Sequence, residues 1–101
     1  MSAPPFELLY TDEATRVLRD LAAPAYRDKN KKAKKGLKLL RDYGPSYPGL
    51  QTHRYESMRG PSGEEVWESY LENHAPSAWR VWWWYSGPDA ITILTLGPHP
   101  G

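Results

Sequence analysis

The run Trp79-Arg80-Val81-Trp82-Trp83-Trp84-Tyr85 limits what this chain can fold into more than any other stretch. Aromatic and β-branched residues in succession favour a pleated strand, and that much ring volume has to be buried on at least one face. Alternation along a strand puts Arg80 on one face with Trp82 and Trp84, and sets Trp79, Val81, Trp83 and Tyr85 on the other. One set builds a core. The rings beside Arg80 either stack nucleobases or pack against protein, in the core or in a dimer contact. The guanidinium is the exception in this run, because Arg80 is the only lysine or arginine after Arg59. Held on a buried strand it costs on the order of several kcal/mol unless it is paired or meets an anion. Two readings follow. Arg80 is a structural cation, capped by Glu64, Glu65, Glu68, Glu72 or Asp89 or stacked on a tryptophan, or it is a functional group that receives an anionic ligand.

With 101 residues the chain makes one domain with one core, residues 1–101, with 1–5 and 100–101 expected as loose ends; large multi-substrate enzymes are excluded. It has no cysteine, so there is no disulfide framework, no thiolate nucleophile and no thiolate-bound zinc. Met1–Pro5 has neither the basic start nor the apolar stretch of a signal peptide, and no segment approaches membrane-spanning length. The expectation is a soluble, cytoplasmic protein with no membrane partner. The net charge of +1 hides a polarity: residues 1–60 carry twelve Lys/Arg against seven Asp/Glu, and residues 61–101 carry one against five. Six lysines (Lys29, Lys31, Lys32, Lys34, Lys35 and Lys38) crowd one decapeptide. They form either a solvated helix face or a positive field suited to phosphates or an acidic partner.

Along the chain, Phe6, Leu8 and Tyr10 alternate as a short first strand. Thr11 is placed to cap a helix whose first turn holds Asp12 and Glu13 and whose apolar stripe is Ala14, Val17, Leu18 and Leu21; it ends at Ala22-Ala23-Pro24. A second helix is expected from Asp28 to Tyr43, with Ala33, Leu37 and Leu40 inward, the lysines outward and Gly44-Pro45 as its stop. Gly36 weakens it by roughly 1 kcal/mol relative to alanine. After the turn-rich Gly44–Gly49 the period becomes that of strands: Gln51–Met58, Val66–Asn73, Ala78–Tyr85 and Ala90–Leu96, joined by short Gly/Pro/Ser turns that suit an antiparallel meander. The last strand, with Ile91, Ile93, Leu94 and Leu96, is apolar on both faces and should lie inside the sheet. The order βααββββ describes an α+β domain with two helices on one face of a mostly antiparallel, four- to five-stranded sheet.

Few groups can carry chemistry. His53, His74 and His99 are widely spaced with no accompanying ligand motif, so no metal or cofactor is expected, and there is neither a phosphate-binding glycine loop nor a nucleophile elbow. What remains is Arg80 on its strand and His99 in Gly97-Pro98-His99-Pro100-Gly101. In an antiparallel pair the end of one strand lies beside the start of its neighbour, so Ala78–Arg80 should approach Leu96–His99. Prolines on both sides restrict the backbone at His99; the alternative is an idle histidine on a frayed tail.

The sequence of elements, the lysine-rich second helix, the Trp-Arg-Val-Trp-Trp motif at 79–83 and the small-residue turn after Ile91–Leu96 resemble the RelE/ParE superfamily of bacterial toxins. The resemblance spans nearly the whole chain. What it implies is a toxin of the RelE/YoeB/HigB-like mRNA interferase type, a component of a toxin–antitoxin system that cuts messenger RNA on the ribosome and is held by a cognate antitoxin. Carried over residue by residue, Arg80 becomes the phosphate-binding cation and His99 the proton-transfer group, with Lys31, Lys32, Lys34, Lys35 and Lys38 as RNA contacts. Attack by the RNA's own 2′-OH needs a base, an acid for the leaving 5′-oxygen and a cation for the phosphorane charge, and no metal. One segment departs from the pattern. Where many relatives carry alternating basic residues before the arginine strand, this chain has Glu68, Tyr70 and Glu72. Glu68 is then either the general base, facing Arg80 across the strand pair, or its salt-bridge partner. His53 and Arg54 offer an alternative base and a phosphate contact, or are an exposed strand pair. The competing reading keeps the fold without the chemistry, as a gyrase-type inhibitor like the ParE branch or an interaction module.

Overall fold

The computed structural model describes residues 4–73 and 77–98. The chain runs β1 (Glu7–Tyr10), α1 (Asp12–Leu21), a 3-10 turn (Pro24–Tyr26), α2 (Arg27–Tyr43), a second 3-10 turn (Pro48–Leu50), β2 (His53–Arg59), β3 (Glu65–Tyr70), β4 (Trp79–Gly87) and β5 (Ala90–Pro98). β2 to β5 form an antiparallel meander, and β1 adds in parallel to the far side of β5, giving the order β1-β5-β4-β3-β2. The expected βααββββ architecture is therefore present, with β5 flanked by strands on both sides.

Both helices bury their apolar stripes on one face of the sheet. Ala14 and Leu21 of α1 and Ala33, Leu37 and Leu40 of α2 meet Val81, Trp83, Ile91, Ile93 and Leu96 in one core. Thr11 fastens α1 twice: its hydroxyl accepts from the Ala14 N–H (3.1 Å) and donates to the carbonyl of Leu94 (2.6 Å). Gly36 is buried where α2 crosses Leu71, and a Cβ there would collide with the Leu71 side chain. The glycine that weakens the helix is what lets the helix approach the sheet. At the other end Gly44 takes φ +83° and returns its N–H to Leu40 (3.0 Å), closing α2.

Two irregularities decide which residues share a face. Trp82 pairs with Thr95 and Trp83 with Ile93, so Leu94 is an extra residue on β5. This bulge changes the inward spacing from Ile91 and Ile93 to Leu96, and it explains a strand that reads as apolar on both faces. On β2, the pairs Arg54↔Trp67 and Arg59↔Glu65 enclose four residues on β2 against one on β3, so residues 55–58 bow away from the ladder. β3 stops at Tyr70, short of the expected Asn73. The N–H groups of Leu71 and Glu72 both turn to the Trp79 carbonyl (3.0 and 3.1 Å).

Candidate functional site

Strand alternation leaves a second face on the sheet, away from the helices. β4 contributes Arg80, Trp82 and Trp84; β3 contributes Val66, Glu68 and Tyr70; β2 contributes His53 and Tyr55, and Gly97 of β5 lies opposite Arg80. Arg80 is thus on the uncovered face, with its side chain 13% exposed. The register corrects one expectation. Tyr70, not Glu68, stands directly across from Arg80, and its ring centroid is 3.7 Å from the guanidinium carbon, a close cation–π stack. Glu68 stands across from Trp82, diagonal to Arg80, with 4.0 Å between its Oε1 and Arg80 Nε. That is an ion pair beyond hydrogen-bond length. Arg80 Nη1 donates to the Ala78 carbonyl (2.8 Å).

Glu68 also meets His53, which pairs with it in register: Nε2 lies 2.8 Å from Oε1, and Nδ1 lies 2.9 Å from the Gln51 carbonyl. Each ring nitrogen faces an oxygen, and which of them donates depends on the tautomer. Glu68, its side chain 2% exposed, lies between His53 and Arg80, which approach it from two sides. His53, Glu68 and Arg80 therefore form one contiguous polar group, with Tyr70 edge-on to His53 at 5.9 Å and face-on to Arg80.

The other carboxylate of the unusual segment does different work. Glu72 lies beyond the end of β3 and turns to α2, accepting from Lys29 Nζ (2.6 Å), Lys32 Nζ (3.3 Å) and the Trp79 N–H (3.0 Å). Burial alone raises its pKa, but the hydrogen bonds from Lys29, Trp79 and Lys32 outweigh it and hold the carboxyl below its ordinary value. Glu72 is a structural clamp and does not share a face with Arg80. Arg54 alternates with His53, sits on the Trp67 side of the sheet and pairs with Glu65 (3.2 Å). Trp82 and Trp84 are 3% and 7% exposed, which leaves no free ring face for stacking bases.

Lys31, Lys34, Lys35 and Lys38 project from α2 into solvent, on the opposite side of the sheet from Arg80, while Lys32 is drawn towards Glu72. A surface cavity of about 430 Å³, lined by Lys32, Lys35, Leu50, Tyr70 and Asn73, bridges the two sides around the end of β3. Tyr70 is thus shared between this cavity and the Arg80 stack. Neither Tyr70 nor Gly97 emerges from sequence reasoning as a site residue. The signal for Tyr70 is its two-residue offset from Glu68, but it needs the β3–β4 register to become specific. His99 and His74 lie outside the described residues; the strand leading to His99 is set by Trp79↔Pro98 and Arg80↔Gly97. Among the described residues no helix is long and apolar enough to cross a membrane, and no group of three His, Asp or Glu is arranged to hold a metal.

No protein-family model and no curated protein matches the sequence. Among solved structures, the crystal structure of the archaeal RelE–RelB complex from Pyrococcus horikoshii OT3 contains a similar chain. The match covers 93% of this chain and 94% of that one, with a TM-score of 0.60 at 15% sequence identity. An N-terminal strand paired in parallel with the last, two helices on one face and a four-strand meander together give this chain the α+β fold of RelE-like toxins.

Proposed function

We propose that this protein is the toxin of a toxin–antitoxin pair and acts as a ribosome-associated, metal-independent endoribonuclease on messenger RNA. The observation that carries the reading is the position of Arg80 on the helix-free face, in one polar group with His53 and Glu68. In this reading the guanidinium meets the charge that accumulates on the phosphorane. The Glu68–His53 pair accepts the 2′-OH proton as that oxygen attacks phosphorus, and His99 protonates the departing 5′-oxygen. The products are a 2′,3′-cyclic phosphate and a free 5′-OH, and DNA, lacking the 2′-OH, survives. Lys31, Lys34, Lys35 and Lys38 serve as contacts to ribosomal RNA, with Lys32 and Lys35 continuing past Tyr70 towards Arg80. The fold likeness to a chain crystallised with RelB supports an antitoxin as the protein partner of this chain, and in this reading both act in the cytoplasm.

A second reading has its own support. The 4.0 Å Arg80–Glu68 pair and the Tyr70 stack are what a structural cation needs, and with them alone the domain is a gyrase-type inhibitor or an interaction module. Expression of the wild type, Arg80→Ala, Glu68→Gln and His99→Ala in a bacterial host, with transcript 5′ ends mapped, separates the readings. Cuts at defined codon positions that vanish in the Arg80 and His99 variants support the nuclease. Growth arrest with intact transcripts and relaxed or broken DNA selects the gyrase type, and unchecked growth selects the interaction module.

A further inference from the structure

Among the described residues, Gln51 is the one non-glycine residue with a left-handed backbone, at φ +45° and ψ +45°. An L side chain in that region is strained, and the strain persists only where the surroundings over-determine the turn. They do so here. Leu50, 1% exposed, anchors the preceding residue in the core, and the Gln51 N–H donates to the Pro48 carbonyl (3.1 Å). The Gln51 amide donates to Asn73 Oδ1 (3.1 Å), past the end of β3, and the next residue, Thr52, shares a hydrogen bond with Ser69 (2.7 Å). Glycine would take this φ without strain; glutamine adds the amide that ties the turn to the segment after β3. The remaining backbone group of the turn, the Gln51 carbonyl, lies 2.9 Å from His53 Nδ1. A carbonyl only accepts, so the contact is a hydrogen bond when the proton sits on Nδ1. The ring needs such a hold. Its side chain is 48% exposed, and it opens an edge strand whose residues 55–58 bow away from the ladder. With Nδ1 pinned, Nε2 stays 2.8 Å from Glu68 Oε1, and it is the nitrogen left to gain or lose a proton.

Resting on the nuclease reading, we propose that Gln51 is a positioning residue for the Glu68–His53 pair. Its left-handed backbone aims the carbonyl at Nδ1, holds the imidazole in the tautomer protonated there, and keeps Nε2 on Glu68 as the site that exchanges the proton. The side-chain amide serves that backbone by fastening the turn to Asn73. Gln51 acts through His53 and not on the RNA. Because the ring depends on the backbone conformation at 51, glycine should substitute there and a β-branched residue should not.

The test pairs nitrogen nuclear magnetic resonance of the purified chain, at a pH where the imidazoles are neutral, with transcript cleavage in cells. His53→Gln identifies the His53 ring by its missing signals. The expected result is a His53 ring protonated on Nδ1 in the wild type and in Gln51→Gly, and moved towards the Nε2 form in Gln51→Val. Cleavage should fall at least about tenfold in Gln51→Val and less than about threefold in Gln51→Gly. Both variants lack the amide to Asn73, so a loss of that tie alone would lower them equally, and equal losses overturn the proposal. A wild-type ring protonated on Nε2 overturns it whether or not Gln51→Val folds. Wild-type cleavage by Gln51→Val overturns it as well, and if Arg80→Ala abolishes the cuts in the same experiment, the nuclease reading stands without Gln51. The expected tautomers in a protein that cuts no transcript uphold the carbonyl's hold on His53 and sink the nuclease.

Discussion

Trp83 and Trp82 are neighbours on one strand, nearly equal in burial, and opposite in how their polar atoms are treated. Trp83 points under the helices with no exposed area, and its indole N–H donates to Ser69 Oγ (2.9 Å), which in turn shares a hydrogen bond with Thr52 (2.7 Å). Trp82 points to the other face, is 3% exposed, and its N–H has no acceptor among the described residues. The charged groups divide the same way. Lys29 and Glu72 on the clamp to α2 meet at hydrogen-bond distance, whereas on the helix-free face Glu68 meets His53 at 2.8 Å but lies 4.0 Å from Arg80 Nε. One face is finished in itself; the other carries donors without acceptors. Local incompleteness of this kind concentrates where a ligand completes the structure.

The sharpest way to break this contrast is to remove each ring. Trp83→Ala should lose about 3–5 kcal/mol in denaturant unfolding, because it opens a large cavity at the centre of the core. A loss below about 2 kcal/mol would mean that the covered face is less tightly specified than its burial implies. Arg80→Ala should act in the opposite sense, leaving a folded protein but cutting transcript cleavage by about 10²–10³-fold. Equal cleavage by the variant and the wild type would assign Arg80 to structure.

Glu72 tests the finished side electrostatically. Glu72→Gln should cost about 2 kcal/mol at neutral pH, since charge-assisted hydrogen bonds from Lys29 and Lys32 are weakened. The folded carboxyl titrates below the ordinary 4.5. Its contribution is therefore fully present above the unfolded pKa and disappears as the pH falls through the folded one. Stability curves of wild type and variant should converge in acid; a gap that stays constant with pH contradicts the clamp. Gly36→Ala follows at about 1–3 kcal/mol of destabilisation, the clash with Leu71 overriding the roughly 1 kcal/mol gained in helix propensity. Thermal melts decide it by sign alone. The smallest effect is the most direct comparison: Trp83→Phe removes a hydrogen bond to Ser69, leaving it only Thr52, and should cost about 1 kcal/mol more than Trp82→Phe, which removes an N–H with no partner among the described residues. Reversal of that order would show that Trp82 is satisfied in solution.

Much of this molecule was legible in advance. Thr11 with Asp12 and Glu13, the 14-17-18-21 stripe and the Gly44 stop located both helices within a residue or two, since capping and amphipathic period are local properties. The turns fixed the meander for the same reason. The candidate site was legible only as a set of names. Residue type singles out Arg80, Glu68 and His53, and the pairing of Glu68 with Arg80 is present at 4.0 Å, but the 2.8 Å contact of Glu68 with His53 and the turn of Arg54 to Glu65 on the other face come only from the register.

By itself the sequence determined the element order, the helix ends, the aromatic core strand and the presence of one anomalous cation within it, because each depends on a few consecutive residues. Tertiary structure alone decided who stands beside that cation. The bow of residues 55–58 in β2, the Leu94 bulge and the early end of β3 set the register, and register is a long-range agreement between strands that no local stretch encodes. A one-residue slip would have turned Tyr70 and Gly97 to the other face, and with them both flanks of Arg80.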